Sequence, residues 1–320
     1  MIYLLDFYII KDENIDMKIV IGLGGNALIS KDRSFEGQYS SINEISYKLA
    51  LLIKKGYRLV ITHGNGPQVG ETLLRHEHTK DLIPPLPLFA CVAETQGLLG
   101  FMLESSINKH LSLLNTKSQI VTLLSRVMIS IDDPSLSNPT KPIGPFYYEE
   151  NIKDLLKINP NIRFKKIDGM YRRVVPSPEP IKILNIDAVK RLLDDGFNVI
   201  TGGGGGIPIA NDHFIDAVID KDLTSERLAT ELNVSKLILL TNEKGVYLNY
   251  KSENERLLKN VTTSELKYYL ACNKFEEGSM KPKVKAALRF VENTKREAVI
   301  ADLDDLLDAV DGKAGTVISL

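Results

Sequence analysis

The chain of 320 residues carries 40 basic and 41 acidic side chains, a formal net charge of −1, with 43% hydrophobic and 25% charged residues. Such a balance supplies no global field for nucleic acid or an anionic membrane, so any anion must be gripped locally. No apolar run approaches the roughly 18–20 residues that span a bilayer. The two cysteines, Cys91 and Cys272, lie far apart without metal-type spacing, which reads as a reduced, cytoplasmic compartment.

The amino-terminal stretch MIYLLDFYII is apolar but interrupted by Asp6. No basic segment precedes it and no small-residue cleavage site follows, so it does not read as a signal peptide. Residues 1–16 are expected to be an atypical extension, with Met17 as an alternative start. From Met17 onward, short β-branched runs end in glycine or a polar turn: KIVIGL (18–23), RLVITH (58–63), SQIVTLL (118–124), FNVITG (197–202), KLILLT (236–241) and AVIA (298–301). Between them lie stretches of helical period, such as 42–56 and 187–196, each closed by a glycine suited to the position after the helix C-cap. Strand alternating with helix predicts an α/β, doubly wound fold with a mostly parallel sheet. Ligands are expected beyond the carboxyl ends of its strands. From about Ser125 to Pro180 the rhythm falters and prolines cluster. Phe146, Tyr147, Tyr148 and Tyr171 in this stretch argue for an inserted, protruding subdomain rather than a solvated linker.

The first chemical signal is Gly22-Leu-Gly24-Gly25-Asn26-Ala27, directly after a strand. Such a turn lets backbone N–H groups approach a phosphate, or serves only as a tight turn. It also matches a dinucleotide fingerprint, which demands an acid at the end of the second strand. That strand ends in Thr62-His63-Gly64 instead, followed by Asn65-Gly66-Pro67. A third cluster, Gly202 to Gly206, again follows a strand. Three such turns at three strand ends point to one anionic ligand, and two facing turns suggest a phosphoryl group passing between donor and acceptor. No G-x-x-x-x-G-K-[ST] element or kinase-type catalytic loop occurs. Positive charge for the transfer must come from lysines elsewhere: Lys141 and Lys283, framed by glycine or proline, and Lys221, framed by aspartates. Asp220 and Asp222 flank Lys221 and are suited to holding ammonium groups or Mg²⁺; Asp222 also suits a helix N-terminus. His63 reads as a structural hydrogen-bonding residue, since in-line phosphoryl transfer leaves little for a general base to do.

The set GLGGNA, HGNGPQVG, ETQGLLG, PTKPIGPFY, RRVVPSP, GGGGIP, AVIDKDLTSERLA, LTNEKGVYLN, GSMKPKV and GKAGT resembles the carbamate kinases, within the amino-acid kinase fold. The motifs run in order from residue 20 onward, so the resemblance covers nearly the whole chain. It implies a three-layer αβα sandwich and a homodimer. It implies one domain over 17–320, with a carbamate half at about 17–185, a protruding subdomain at about 125–180 and a nucleotide half at about 186–320. The activity implied is reversible transfer between ATP plus carbamate and ADP plus carbamoyl phosphate, with Mg²⁺, typically serving ATP synthesis in arginine breakdown. Gly24, Gly25, Asn26, Gly64, Asn65 and Gly66 would cradle the carbamoyl and phosphoryl groups. Lys141, Lys221 and Lys283 would neutralise charge, aligned by Asp222. Gly203, Gly204, Gly205 and Asp220 would meet the nucleotide, with Thr241, Asn242, Gly245, Val246, Tyr247 and Met280 lining its adenine pocket. No protein side chain is assigned to the metal, which nucleotide phosphates would carry. Two other readings stay open: a kinase of another small acid on this fold, and a non-catalytic nucleotide sensor.

Overall fold

The computed structural model describes residues 17–24, 28, 34–272, 274–275 and 280–320. The expected extension 1–16, together with Gly25 and Asn26, lies outside them. In chain order the first elements are β1 (Lys18–Leu23), α1 (Phe35–Lys54), β2 (Arg58–His63), α2 (Gly66–His78), α3 (Leu88–Leu113) and β3 (Ile120–Thr122). Next come β4 (Arg126–Met128), α4 (Pro134–Ser137), β5 (Lys141–Tyr147), α5 (Glu149–Ile158), β6 (Arg163–Ile167), β7 (Met170–Val175) and β8 (Lys182–Ile183). Then follow α6 (Ile186–Asp194), β9 (Asn198–Ile200), β10 (Ile207–Ala210), β11 (His213–Phe214), α7 (Lys221–Glu231) and β12 (Lys236–Thr241). The described chain closes with β13 (Val246–Leu248), β14 (Arg256–Leu258), β15 (Asn260–Thr262), α8 (Thr263–Ala271), α9 (Met280–Thr294), β16 (Ala298–Asp302), α10 (Leu306–Val310) and β17 (Thr316–Ser319).

All six strands expected from the apolar runs enter one eight-stranded sheet, ordered β15-β17-β16-β12-β1-β2-β9-β3. Its neighbours are parallel except β16 and β17, which run antiparallel. The apolar runs are continuous because both faces of the sheet are covered. Along β1, Ile19, Ile21 and Leu23 join the core under α1, α3 and α10, whereas Val20 joins the core under α6, α7 and α9. That alternation is the period of two of an extended strand. Helix on each side of a mostly parallel sheet gives the expected αβα sandwich.

Helix boundaries follow local chemistry. Ser34 caps α1 by accepting from the Gly37 N–H at 3.0 Å, so this helix begins earlier than its apolar period announced. Gly56 (φ 98°) and Gly196 (φ 91°) follow the C-caps of α1 and α6 in the left-handed region that glycine tolerates.

Between residues 125 and 184 the chain builds two further sheets rather than loops. β4 and β8 pair within a four-stranded sheet with β10 and β11, and β5, β7 and β6 form an antiparallel three-stranded sheet. A third apolar core joins this latter sheet to α2 and α3 through Val69, Leu73, Cys91, Val92, Ile143 and Val175. At Gly70 and Gly144 the two backbones meet so closely that a Cβ on Gly70 would stand 2.1 Å from the Gly144 Cα.

Candidate active site

Four parallel strands end at one rim: Gly24 follows β1, Gly64 to Pro67 follow β2, Gly204 follows β9, and Thr241 to Glu243 close β12. Together they floor a cleft of about 340 Å³. Lys141, Asp220, Lys221, Asp222 and Lys283 complete its walls.

The second turn is fixed from behind. Asn65 donates from Nδ2 to the Thr95 hydroxyl at 2.9 Å, and Thr95 donates to the Val92 carbonyl at 2.9 Å within α3. Gly204 (φ 60°) lies against the same side chain, and a Cβ there would stand 2.2 Å from Asn65 Nδ2. A Cβ on Gly203 would likewise stand 2.4 Å from His63 Nε2. The glycine cluster at 202–206 therefore packs directly on the turn after β2. Ser125 accepts from the Gly202 N–H at 2.7 Å, and the Gln96 amide clamps Ser125 through its N–H and carbonyl.

Helix α7 starts at the rim. Asp220 caps it by accepting from the Asp222 N–H at 2.9 Å, which leaves Lys221 and Asp222 in the first turn. An acid there also suits the helix dipole. Asp222 divides its carboxylate: Oδ1 accepts from Lys221, and Oδ2 accepts from Lys283 on α9 at 3.1 Å. All three side chains are buried, with Lys221 8%, Asp222 4% and Lys283 6% exposed. Lys141 arrives from β5 and donates to Asp220 Oδ2 at 3.1 Å and to the Ile219 carbonyl at 3.2 Å. Three ammonium groups thus gather around two carboxylates at the wall of the cleft.

Burial opposes ionisation of Asp220, yet Lys141, Lys221 and Lys283 outweigh it and hold its carboxyl well below the usual carboxylate range. Burial lowers the Lys221 pKa, and Lys283 adds to this; Asp222 and Asp220 pull the other way. His63 is 1% exposed, and burial drives its pKa down to about 4, with the Gly64 carbonyl opposing and Lys221 assisting. It is a neutral ring near pH 7, packed against Gly203.

Of the residues expected from the sequence, the cleft gathers Gly24, Gly64, Asn65, Gly66, Gly204, Thr241 and Asn242 with the charged cluster. Gly203, Gly205, Gly245, Val246, Tyr247 and Met280 stand outside its lining. Val246 is wholly buried in the core, and its N–H donates to the Thr316 hydroxyl at 2.8 Å. Tyr247 packs on Tyr250 with ring centroids 5.8 Å apart. Sequence reasoning missed Arg172, which lines the cleft, and Glu243, within the expected 241–247 segment, lines it as well. Arg172 donates to the Gly144 carbonyl at 2.8 Å and lies over the Phe146 ring, and Glu243 accepts from the Tyr250 hydroxyl. Arg172 sits in the RRVVPSP run, whose paired arginines were the available signal.

Glycine turns at parallel strand ends, facing a cluster of buried lysines, define a phosphotransferase of α/β type. The chain belongs to the amino acid kinase family, whose model matches residues 17–302, and within that family to the carbamate kinases. It is 41% identical over 310 residues to carbamate kinase 2 of Staphylococcus aureus, covering 95% of this chain and 99% of that one. It is 41% identical over 308 residues to the carbamate kinase of Lentilactobacillus hilgardii, covering 94% and 97%. Among solved structures, the carbamate kinase of Giardia lamblia bound to AMP-PNP superposes with a TM-score of 0.87 at 35% identity, covering 96% of this chain and 99% of that one. Among the described residues no helix is long and apolar enough to cross a membrane.

Proposed function

We propose that this chain is a carbamate kinase that interconverts ATP plus carbamate with ADP plus carbamoyl phosphate. The observation that carries this reading is the convergence of Lys141, Lys221 and Lys283 on the glycine turns after β1 and β2. Charge in phosphoryl transfer spreads over the equatorial oxygens, and the protein's task is to position and to neutralise. Lys221 and Lys283, separated by the Asp222 carboxylate, present two cations at a fixed spacing. Lys141 adds a third from the opposite wall. The turns at Gly24 and at Gly64 to Gly66 hold carbamate, with Gly25 and Asn26 assigned to the same cradle. The nucleotide lies along Thr241 and Asn242, with the 203–205 turn, Asp220, Gly245, Val246, Tyr247 and Met280 on its side of the site. The solved relative with AMP-PNP supports a nucleotide in this fold.

The carboxylates here are poor metal ligands. Both oxygens of Asp220 and both of Asp222 already accept from protein donors. Mg²⁺ therefore enters as part of the nucleotide substrate, carried on its phosphates, and no protein-bound metal step is required. We assign residues 17–185 to the carbamate half, 186–320 to the nucleotide half, and 125–180 to a subdomain whose closure excludes water from a labile product. A cytoplasmic homodimer that makes ATP in arginine breakdown is the physiological reading the resemblance supports. ATP formation from ADP and carbamoyl phosphate, followed by a coupled assay, tests the activity. ATP no faster than the uncatalysed background would overturn it, and phosphorylation of N-acetylglutamate or aspartate instead would favour a different small-acid kinase.

A further inference from the structure

Outside the cleft, His76, Cys91 and Glu94 bring a ring nitrogen, a thiol sulfur and a carboxylate oxygen within 4.8 Å of one another. They come from two helices. Cys91 and Glu94 are three residues apart near the start of α3, so they share one face. His76 lies in the last turn of α2, which packs alongside, and its Nε2 stands 3.2 Å from Glu94 Oε2.

The cluster is graded from core to solvent. Cys91 is fully buried in the third apolar core, the His76 side chain is 23% exposed and that of Glu94 45%. The buried soft donor thus has its harder partners on the side that faces water. The Glu94 and Asp216 carboxylates both lie close enough to the thiol to act on it electrostatically. The same carboxylates favour a cation, and a coordinated cation deprotonates the thiol outright. A sulfur, nitrogen and oxygen donor set suits zinc and its borderline neighbours rather than Mg²⁺ or Ca²⁺.

We propose that His76, Cys91 and Glu94 form a site for a zinc-like divalent cation, separate from the catalytic cleft. Binding forms metal–sulfur, metal–nitrogen and metal–oxygen bonds, the thiol proton passes to solvent, and water completes the coordination. The bound ion ties α2 to α3 one residue from Thr95, the partner of Asn65 in the cleft.

Cobalt(II) titration of the full chain tests this, in a Cys272→Ser background so that Cys91 is the single thiol. One equivalent is expected to raise a thiolate-to-cobalt charge-transfer band, which one equivalent of zinc abolishes. The catalytic cleft contains no cysteine among its lining residues and cannot produce that band. His76→Ala and Glu94→Gln, both on the accessible side, should weaken binding by more than about 10-fold, since even groups that only support a ligand are worth about 10–100-fold. Cys91→Ser should remove the band, and the two accessible variants keep the test valid if that buried substitution unfolds the chain. Absence of the band in the parent protein, or a band undiminished in His76→Ala, would overturn the site. The readout is spectroscopic and independent of carbamate chemistry.

Discussion

Asp222→Asn isolates the carboxylate that holds two lysines apart. The substitution keeps the shape of a side chain that is 4% exposed while removing the charge between Lys221 and Lys283. Two buried ammonium groups then face each other without their shared counter-ion. Leaving a buried charge unpaired costs about 3–5 kcal/mol, a large part of the roughly 5–15 kcal/mol that stabilises a domain. The sign of the pH dependence follows from Lys221. Its pKa is already lowered by burial, and Asp222 is the largest influence raising it again. Without that carboxylate the folded-state pKa falls further below the unfolded value. The variant's stability deficit should be full near neutral pH and should fade as pH rises through the depressed lysine pKa toward the ordinary value of 10.5. The role proposed for Lys221 requires its ammonium form, so the alkaline limb of the pH–rate profile should move to lower pH. Thermal unfolding across pH and the kcat profile read both effects. A variant with the parent's alkaline limb and a pH-independent deficit would refute the charge argument.

Gly70→Ala should lower the melting temperature and impair turnover, because its Cβ would stand 2.1 Å from the Gly144 backbone; overpacking of this kind costs about 1–3 kcal/mol. An unchanged melting temperature would mean that α2 and β5 part without penalty. Burial keeps His63 neutral, with a pKa of about 4 against the usual 6.5. A depressed folded pKa means stability is lost as pH falls from about 6.5 to 4, by about 3 kcal/mol once the ring is charged. His63→Gln should flatten that acid slope in thermal unfolding, and a slope that persists would assign it to other groups.

Much of this architecture was legible in the residues because a strand buried on both faces has little choice of composition. KIVIGL, RLVITH and KLILLT are strands from their first residue to their last. The edge strand β15 and its neighbour β17 were not, being three and four residues long with partly exposed positions. Helix α3 escaped notice because apolar Leu98 and Phe101 stand on its exposed side and polar Thr95, Gln96 and Ser106 on its buried side, which blurs the period. In the site, glycine or proline framing singled out Lys141 and Lys283 and flanking aspartates singled out Lys221, and all three converge. Spacing alone gave no sign that Asp222 would split its two oxygens between Lys221 and a lysine 61 residues away. Val246 shows the opposite failure: its motif faced the rim, but alternation along β13 turned its side chain into the core. The pairing of Gly203 with His63 and of Gly204 with Asn65 is long-range contact that no local pattern encodes.

Asp220 gives one oxygen to the backbone at the start of α7 and the other to Lys141 on β5. A single carboxylate is thus at once part of a helix's foundation and the fastening of a neighbouring sheet. Withdrawal of Lys141 would loosen the first turn of the helix that carries Lys221 and Asp222, and fraying of that turn would release Lys141. The two walls of the cleft therefore share one point of failure, and the order of either is reported at the other. Amide hydrogen exchange at Asp222 would follow the position of β5 without any label on β5 itself.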